Sequence, residues 1–489
     1  MRTPFRRPSS MLATLALALA CAAGAASCGT AAAPGSKPAP VVLSAADQAF
    51  ADTLERRTFH YFWDLSDPRT GLTPDRWPTR SFASVGAMGF ALTAYPIGAD
   101  RGWVTREAAA ARTLATLRFL WTAPQDTAAR GVTGYKGFYY HFLRPEDGTR
   151  FEKVELSSMD TALLMAGVLF AGGWFDGAGA DEREIRALAD SLYFRVDWKW
   201  LQVRPPVMSL GWSPEEGHLP YDWRGYNETM LLHVLALGSP THAVGPEAWP
   251  AYQKGYRWGA FEGEEHLNFS PLFGHHYSHC WIDFRGIRDA YMRGRGIDYF
   301  ENSRRATLAQ RRYAQRNPGG FADYGGDVWG LTACDGPVDA TFTIGGRERT
   351  FRTYAARGAS LLEVVDDGTL SPCAAGGSVA FTPDSSLAAL RAMKARYGDR
   401  LWGTYGFVDA FNPTLKQPVK VQAGRIDPKL GWFDTDWLGI DEGPMLIMLE
   451  NQRSGLVWNV LRRNPHVRRG LVAAGFTGGW LDAPGAAGR

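Results

Sequence analysis

Cysteine is scarce in this chain. Of five in 489 residues, Cys21 and Cys28 stand near the N-terminus, leaving Cys280, Cys334 and Cys373 for the rest. An odd number permits one bridge at most, so the chain is no disulfide scaffold. A Cys334–Cys373 pairing stays open, because both lie in Gly/Pro-rich sequence. Charge of one sign is also missing. The 53 basic and 50 acidic residues leave +3, spread along the chain. That balance argues against a basic stripe for nucleic acid and against an acidic tail. Val/Ile-rich runs before each helix, which a βαβ array would need, do not occur. Neither a G-x-S-x-G elbow nor a G-x-x-x-x-G-K-S/T phosphate loop is present. The cluster HHYSH (His275, His276, His279) lacks the His-Glu-x-x-His spacing of a zinc helix and reads as packed or hydroxyl-binding imidazoles. FADYGGD and ACDG leave calcium open without EF-hand spacing, and no metal or cofactor is expected.

Aromatics, by contrast, are plentiful: 18 Trp and 18 Tyr, many beside Asp, Arg or Gly. Flat rings next to polar groups suit sugar faces, which stack through C–H groups while their hydroxyls take hydrogen bonds. A Trp-rich core is the alternative. At the N-terminus, Arg2, Arg6 and Arg7 precede the Ala-rich apolar stretch MLATLALALACAAGAAS, too short for a convincing membrane span. Residues 1–28 are expected to be a signal peptide. AASCG resembles a lipobox, with Ala25 where Leu is usual, and makes Cys28 the expected lipidation site. Cys21 is a second choice, and an ordinary secretory cleavage nearby is the alternative. Residues 29–44 read as a flexible linker. The mature protein is therefore expected in the cell envelope, as a periplasmic or outer-membrane lipoprotein, or secreted.

Helical periodicity dominates the remainder, 45–485, which reads as one domain. Segments 84–98, 157–175, 227–238 and 436–453 are apolar nearly all round, whereas 105–121, 181–198, 299–317 and 384–398 carry one charged face. Helices apolar on every side need cover on every side; amphipathic ones supply it. Roughly a dozen helices in alternation predict an all-α (α/α)6 toroid. The spacing predicts a hairpin around Gly345-Gly346 and long loops at 199–225, 260–283, 319–345 and 400–436.

In such a toroid, loops feeding the inner helices form one mouth, so carboxylates in their first turns share a cavity. Asp160, Glu228 and Asp441/Glu442 each stand near the start of an apolar segment. Two carboxylates across a cleft suit glycoside hydrolysis, one as acid and one as base or nucleophile. Each alone also fits a helix cap.

The motifs FWDLSDPRTGLTPDRW, SVGAMGFAL, ELSSMDTALLMAG, PYDWRGYNE, HYSHCWIDFRG, DVWGLTACDGP, YGFVDAFNP and GWFDTDWLGIDEGPMLIMLENQRSGLVW run in order from about 50 to 480. With them the chain resembles the bacterial glucoamylase-like domain family. That resemblance implies an (α/α)6 barrel and the inverting chemistry of bacterial endo-β-1,2-glucanases, which release short sophoro-oligosaccharides. It implies Glu228 of GYNE as general acid and Asp160 of SSMD as a second acidic position. Asp409 or Asp441 is implied as base, reaching its water either directly or through a substrate hydroxyl. Thr229 departs from the family pattern, where a small residue such as Ala follows YNE. Apolar residues behind Glu228 are expected to raise its pKa and keep it protonated. Tyr221 and Trp223 would stack the sugar, and Asp222 and Arg224 would bind its hydroxyls. Trp63, Trp212, His279, Trp281, Asp283, Trp329 and Tyr405 would serve likewise, each with packing as the alternative. The expected partner is an oligo- or polysaccharide bound by a monomer, with no nucleic acid and no membrane contact beyond a lipid anchor. Two other functions fit the same fold: transfer or phosphorolysis, with Arg285 or Arg288 at a phosphate, and non-catalytic capture of oligosaccharide by an envelope lipoprotein.

Overall fold

A computed structural model describes residues 43–483. The signal-peptide reading, with Cys21 and Cys28, and nearly all of the linker lie outside the described residues. In chain order the helices are α1 (Ala45–Leu65), α2 (Val85–Asp100), α3 (Arg106–Thr122), α4 (Ser158–Trp174), α5 (Ala180–Arg195) and α6 (Met230–Gly238). They continue as α7 (Ala248–Gln253), α8 (Tyr277–Trp281), α9 (Ala290–Arg295), α10 (Tyr299–Arg316), α11 (Pro372–Gly376) and α12 (Pro383–Tyr397). The last four are α13 (Gly439–Arg453), α14 (Leu456–Leu461), α15 (Pro465–Ala473) and α16 (Gly479–Asp482).

Burial sorts these helices as their composition demands. Val85–Gly98 of α2, Ser158–Ala171 of α4 and all of α6 are buried, so each is covered on every side. α1, α3, α5, α10 and α12 bury one side and expose the other. Contacts run α2–α4–α6–α8–α13–α2 with α11 against α13, closing an inner ring of six. The amphipathic helices lie outside it: α1 on α2 and α13, α3 on α2 and α5, α5 on α4, and α12 on α11. This is the (α/α)6 toroid expected from the alternation. α14 follows α13 directly and packs on α4, α8 and α13, so it underlies the C-terminal ends of the inner helices. The N-terminal ends converge at the opposite mouth. There Ser84 and Ser157 cap α2 and α4 by accepting the amides of Ala87 and Asp160.

The inner ring is tight because small residues face one another. A Cβ on Gly89 would lie 2.4 Å from the Leu163 carbonyl oxygen, and one on Gly167 would lie 2.1 Å from that of Gly89. α2 and α4 therefore touch backbone to backbone.

Several boundaries differ from expectation. α6 begins at Met230 rather than 227, because Asn227 Oδ1 accepts the Thr229 amide (3.0 Å) and hydroxyl (2.6 Å) in a side-chain turn. α8 and α11, expected as loop, are inner helices of five residues, too short for a 3.6-residue period to register. The hairpin pairs 340–344 with 347–351 through Gly345 and Gly346, both at positive φ. Cys334 and Cys373 are unbridged, and Cys280, Cys334 and Cys373 are all free and buried. The Cys373 thiol donates to Asp441 Oδ1 (3.2 Å) and Cys334 Sγ accepts from Arg357 (3.4 Å). Among the described residues no helix is long and apolar enough to cross a membrane.

The close α2–α4 contact predicts that Gly167→Ala lowers stability by about 1–3 kcal/mol, the usual range for overpacking. Gly294→Ala, where a Cβ meets nothing within 4 Å, is expected to leave the thermal midpoint unchanged or slightly raised.

Candidate active site

Inner-helix N-termini carry unpaired amides and a positive dipole end, so carboxylates gather at their mouth. Glu228 stands in the turn just before α6, its main chain held by the Ser278 hydroxyl, which donates to the Glu228 carbonyl (2.6 Å). Behind it lie Met230, Leu231 and Leu232, all buried. Burial first, and then the nearby charge of Asp160, push the Glu228 carboxyl up to about 7. Thr229 spends its hydroxyl on Asn227 and leaves Glu228 alone.

Asp160 occupies the first turn of α4. Its Oδ2 accepts the Ser157 hydroxyl (2.5 Å) and faces His141 Nε2 (3.4 Å). The other nitrogen, His141 Nδ1, lies 2.8 Å from Glu155 Oε1. Burial opposes a charge on this imidazole, but Asp160 and Glu155 outweigh it and raise the ring to about 9. α2 makes room for Asp160 through Gly86, where a Cβ would meet Asp160 Oδ1 at 2.7 Å.

Asp409 and Asp441 form the second pair. Both are buried, at 2% and 7% exposure. Burial, then the charges of Asp441 and Asp335, push Asp409 well above the carboxylate range. Asp441 is raised by burial but held down by hydrogen bonds from Asp409 and Cys373, reaching about 7. Asp409 Oδ1 and Asp441 Oδ2 have no hydrogen-bond partner, and the burial of two neighbouring carboxyls favours keeping one proton between them. Beyond them, Arg76 reaches Asp335 (2.5 Å) and Asp75 (3.2 Å), and the Asp335 amide donates to Asp409 Oδ2 (2.8 Å). Asp335, Asp409 and Asp434 each bring one oxygen within 4.8 Å of the others, a spacing that a hard cation could bridge. Arg76 answers part of that charge through Asp335. Burial raises Glu442, whose two oxygens are unpartnered, and it joins the apolar floor as a neutral acid. Tyr277 links the two halves. Burial first, then the charges of Asp441, Cys373 and Glu228, raise its phenol, so it feels both the acid and the pair.

The structure thus brings Glu228, Asp160, Asp409 and Asp441 to one mouth. Trp223 joins them, donating its indole N–H to Ser158 Oγ (2.9 Å) at the start of α4. Tyr221 is exposed, Asp222 is held by Arg204 (2.7 Å), and Arg224 is exposed near Asp222 (3.8 Å). Trp212 lies on the strand paired with Leu156–Ser157, half-buried against Tyr135 and Trp200.

Trp281, Trp329, His279 and Asp283, expected as sugar contacts, are corrected by packing. Trp281 and Trp329 are wholly buried, and Trp281 stacks on Phe90 and donates to Thr93 Oγ1 (3.0 Å). His279 is wholly buried against Ser303 (3.1 Å), and burial drives it down to about 3. Asp283 is a buried partner of Arg285 (2.8 Å) and Arg462. Arg285 is thereby occupied, and it lies over the Trp458 ring. Trp63 packs between Phe59 and Arg112, and Tyr405 packs edge-on against Tyr61 and Trp437. His275 and His276 spend ring nitrogens on Tyr226 and Ser378, which is packing and not ligation. Asp75, Arg76, Glu155 and Tyr277 lie inside the motifs that carry the family resemblance without a role of their own, and His141 in YYHFL lies outside them; only the fold gathers these residues.

Comparison with known proteins agrees with this fold. The model of the Glycoamylase family, described as "Putative glucoamylase", matches residues 220–465, about half of the chain. A Bacteroides caccae crystal structure carrying the same description is 32% identical, with a TM-score of 0.75 over 88% of this chain and 100% of that one. An endo-β-1,2-glucanase from Chitinophaga pinensis, solved with sophorotriose and glucose, is 27% identical, with a TM-score of 0.75 over 90% of this chain and 100% of that one. An exo β-1,2-glucooligosaccharide sophorohydrolase (non-reducing end) from Parabacteroides distasonis is 30% identical over 456 residues, 87% of this chain and 57% of that protein. The chain thus spans a little over half the length of that curated relative.

A carboxyl raised on folding binds its proton more tightly in the native state. Its destabilising effect therefore grows as pH climbs from about 4.5 to about 7 and stays constant above. Glu228→Gln is expected to match wild-type stability below pH 4 and to exceed it at pH 8 by up to about 3 kcal/mol. Denaturant melts at the two pH values check this.

Proposed function

The chain belongs to the Glycoamylase family, and from that premise we propose that it is a glycoside hydrolase of β-1,2-linked glucan, releasing short oligosaccharides with inversion at the anomeric carbon. One observation carries the reading: Glu228 just before α6 and the buried Asp409–Asp441 pair at the start of α13 stand at one mouth, with burial raising all three carboxyls. Glu228 donates its proton to the glycosidic oxygen as the bond breaks. The Asp409–Asp441 pair, through its charged oxygen, accepts the proton of the attacking water. Asp160 keeps Glu228 charged with its proton between turnovers, since a like charge nearby disfavours ionisation. Trp223 and Tyr221 supply stacking surface beside the acid. The relatives named for β-1,2-glucan chemistry support the linkage.

We also propose that the protein works in the cell envelope, anchored through Cys28. The Arg-led apolar leader and the small residues before that cysteine support this placement.

Incubating the purified protein with linear β-1,2-glucan, alongside β-1,3-, β-1,4- and α-1,4-glucans, tests the substrate. Short products from the β-1,2 polymer alone are expected; tight binding to a polymer without cleavage would replace the hydrolase by a capture protein. Glu228→Gln and Asp441→Asn are each expected to lower kcat about 10²–10⁴-fold with little change in KM. A variant at Glu228 that turns over normally would remove the acid assignment. Because acid and base both titrate near 7, the rate is expected to follow a narrow bell centred near neutrality.

A further inference from the structure

Both nitrogens of His141 face carboxylates, Glu155 Oε1 at 2.8 Å and Asp160 Oδ2 at 3.4 Å. A neutral imidazole has one N–H and one lone pair, so it would aim the lone pair at one of these acceptors. With a hydrogen bond to Glu155 and an ion-pair distance to Asp160, only an imidazolium presents an N–H to both carboxylates. The ring is held in this pose. It stacks on Phe142 with centroids 3.9 Å apart, the His141 amide donates to the Glu155 carbonyl (2.9 Å), and its carbonyl accepts the Val85 amide (3.2 Å). His141 is thus fixed to Glu155, just before the strand Leu156–Ser157, and to the first residue of α2. Asp75 also faces the ring, and Arg150 faces Glu155. Three carboxylates therefore share one imidazolium, with Arg76 on the far side of Asp75. Asp160 is the member of this set that faces Glu228. The phenols of Tyr277 and Tyr252 also feel the charge of Glu228.

We propose that Glu155, His141 and Asp160 form a positioning relay in which an imidazolium, clamped between two carboxylates, fixes the orientation and charge of Asp160 against Glu228. None of the three need touch the reacting atoms: the relay acts through Asp160 on the proton held by Glu228. It rests on the assignment of Glu228 as acid. Without the imidazolium, Asp75, Glu155 and Asp160 would crowd one another, and Asp160 would turn away from Glu228. Glu228 would then lose the charge that opposes its ionisation and release its proton too early.

The test has an activity-free arm and a kinetic arm. ¹⁵N-histidine spectra of the resting protein, with the His141 signal identified by its loss in His141→Gln, are expected to show an imidazolium persisting to about pH 9. In Glu155→Gln that titration is expected to move toward the ordinary histidine value near 6.5. In the kinetic arm, His141→Gln is expected to shift the basic limb of kcat/KM about one pH unit down and lower the rate at pH 7.5 about tenfold, with KM little changed. His141→Lys, which keeps a cation, is expected to restore the limb. A neutral His141 at pH 7, or a basic limb unmoved in both His141→Gln and Glu155→Gln, would overturn the relay. Should the wild type cleave no glucan, the spectra still decide the relay, and the failure lies with the proposed reaction.

Discussion

Burying carboxylates where water is scarce and cations are few is the constraint from which this site follows. Inner helices apolar on all sides leave no room for solvent behind their first turns, yet their N-terminal amides favour negative charge there. Glu228, Asp160, Asp409, Asp441, Glu442, Asp434 and Asp75 all gather at that mouth, against the positive charge of Arg76 and His141. Such a set cannot be fully ionised. Burial does most to raise Asp409 and Glu228, and neighbouring carboxylates add to it, Asp441 and Asp335 at the first and Asp160 at the second. Proton retention at neutral pH is what an acid catalyst requires, so the electrostatic burden of the fold and its chemistry have one origin.

Rigidity serves the same end. Glycines at 86, 89 and 167 let α2 and α4 approach until backbone meets backbone, which fixes the first turns carrying Ser84, Ser157 and Asp160. Side chains whose charge states depend on contacts of 2.5–3.4 Å gain from mounts that cannot drift. The stability lost to a raised Glu228 is carried by this inner ring and by the aromatic core around it, to which Trp281 and Trp329 belong.

Those two tryptophans show where reading residues in order reaches its limit. Trp281 and Asp283 in HCWIDFRG stand among polar and aromatic neighbours, as sugar-binding residues do, and so does Trp329 in DVWG. Sequence proximity to polar groups did not mean exposure: Trp281 turns inward from a five-residue helix whose period is too brief to reveal its buried face. His141, in an apolar strand context, shows the converse. It looks like a core imidazole until Glu155 and Asp160 are placed on its two nitrogens.

The alternation of wholly apolar with amphipathic helices determined the double ring, because each kind can bury its surface only beside the other. The carboxylates at the starts of apolar segments likewise determined where the mouth would be and named Glu228, Asp160 and Asp441 among its acids. Tertiary structure alone decided which of them hold protons and which partners they meet. Protonation depends on burial and on charges brought together from positions as distant as Arg76, His141, Asp335 and Asp441, and no local pattern records contacts that exist only once the ring has closed.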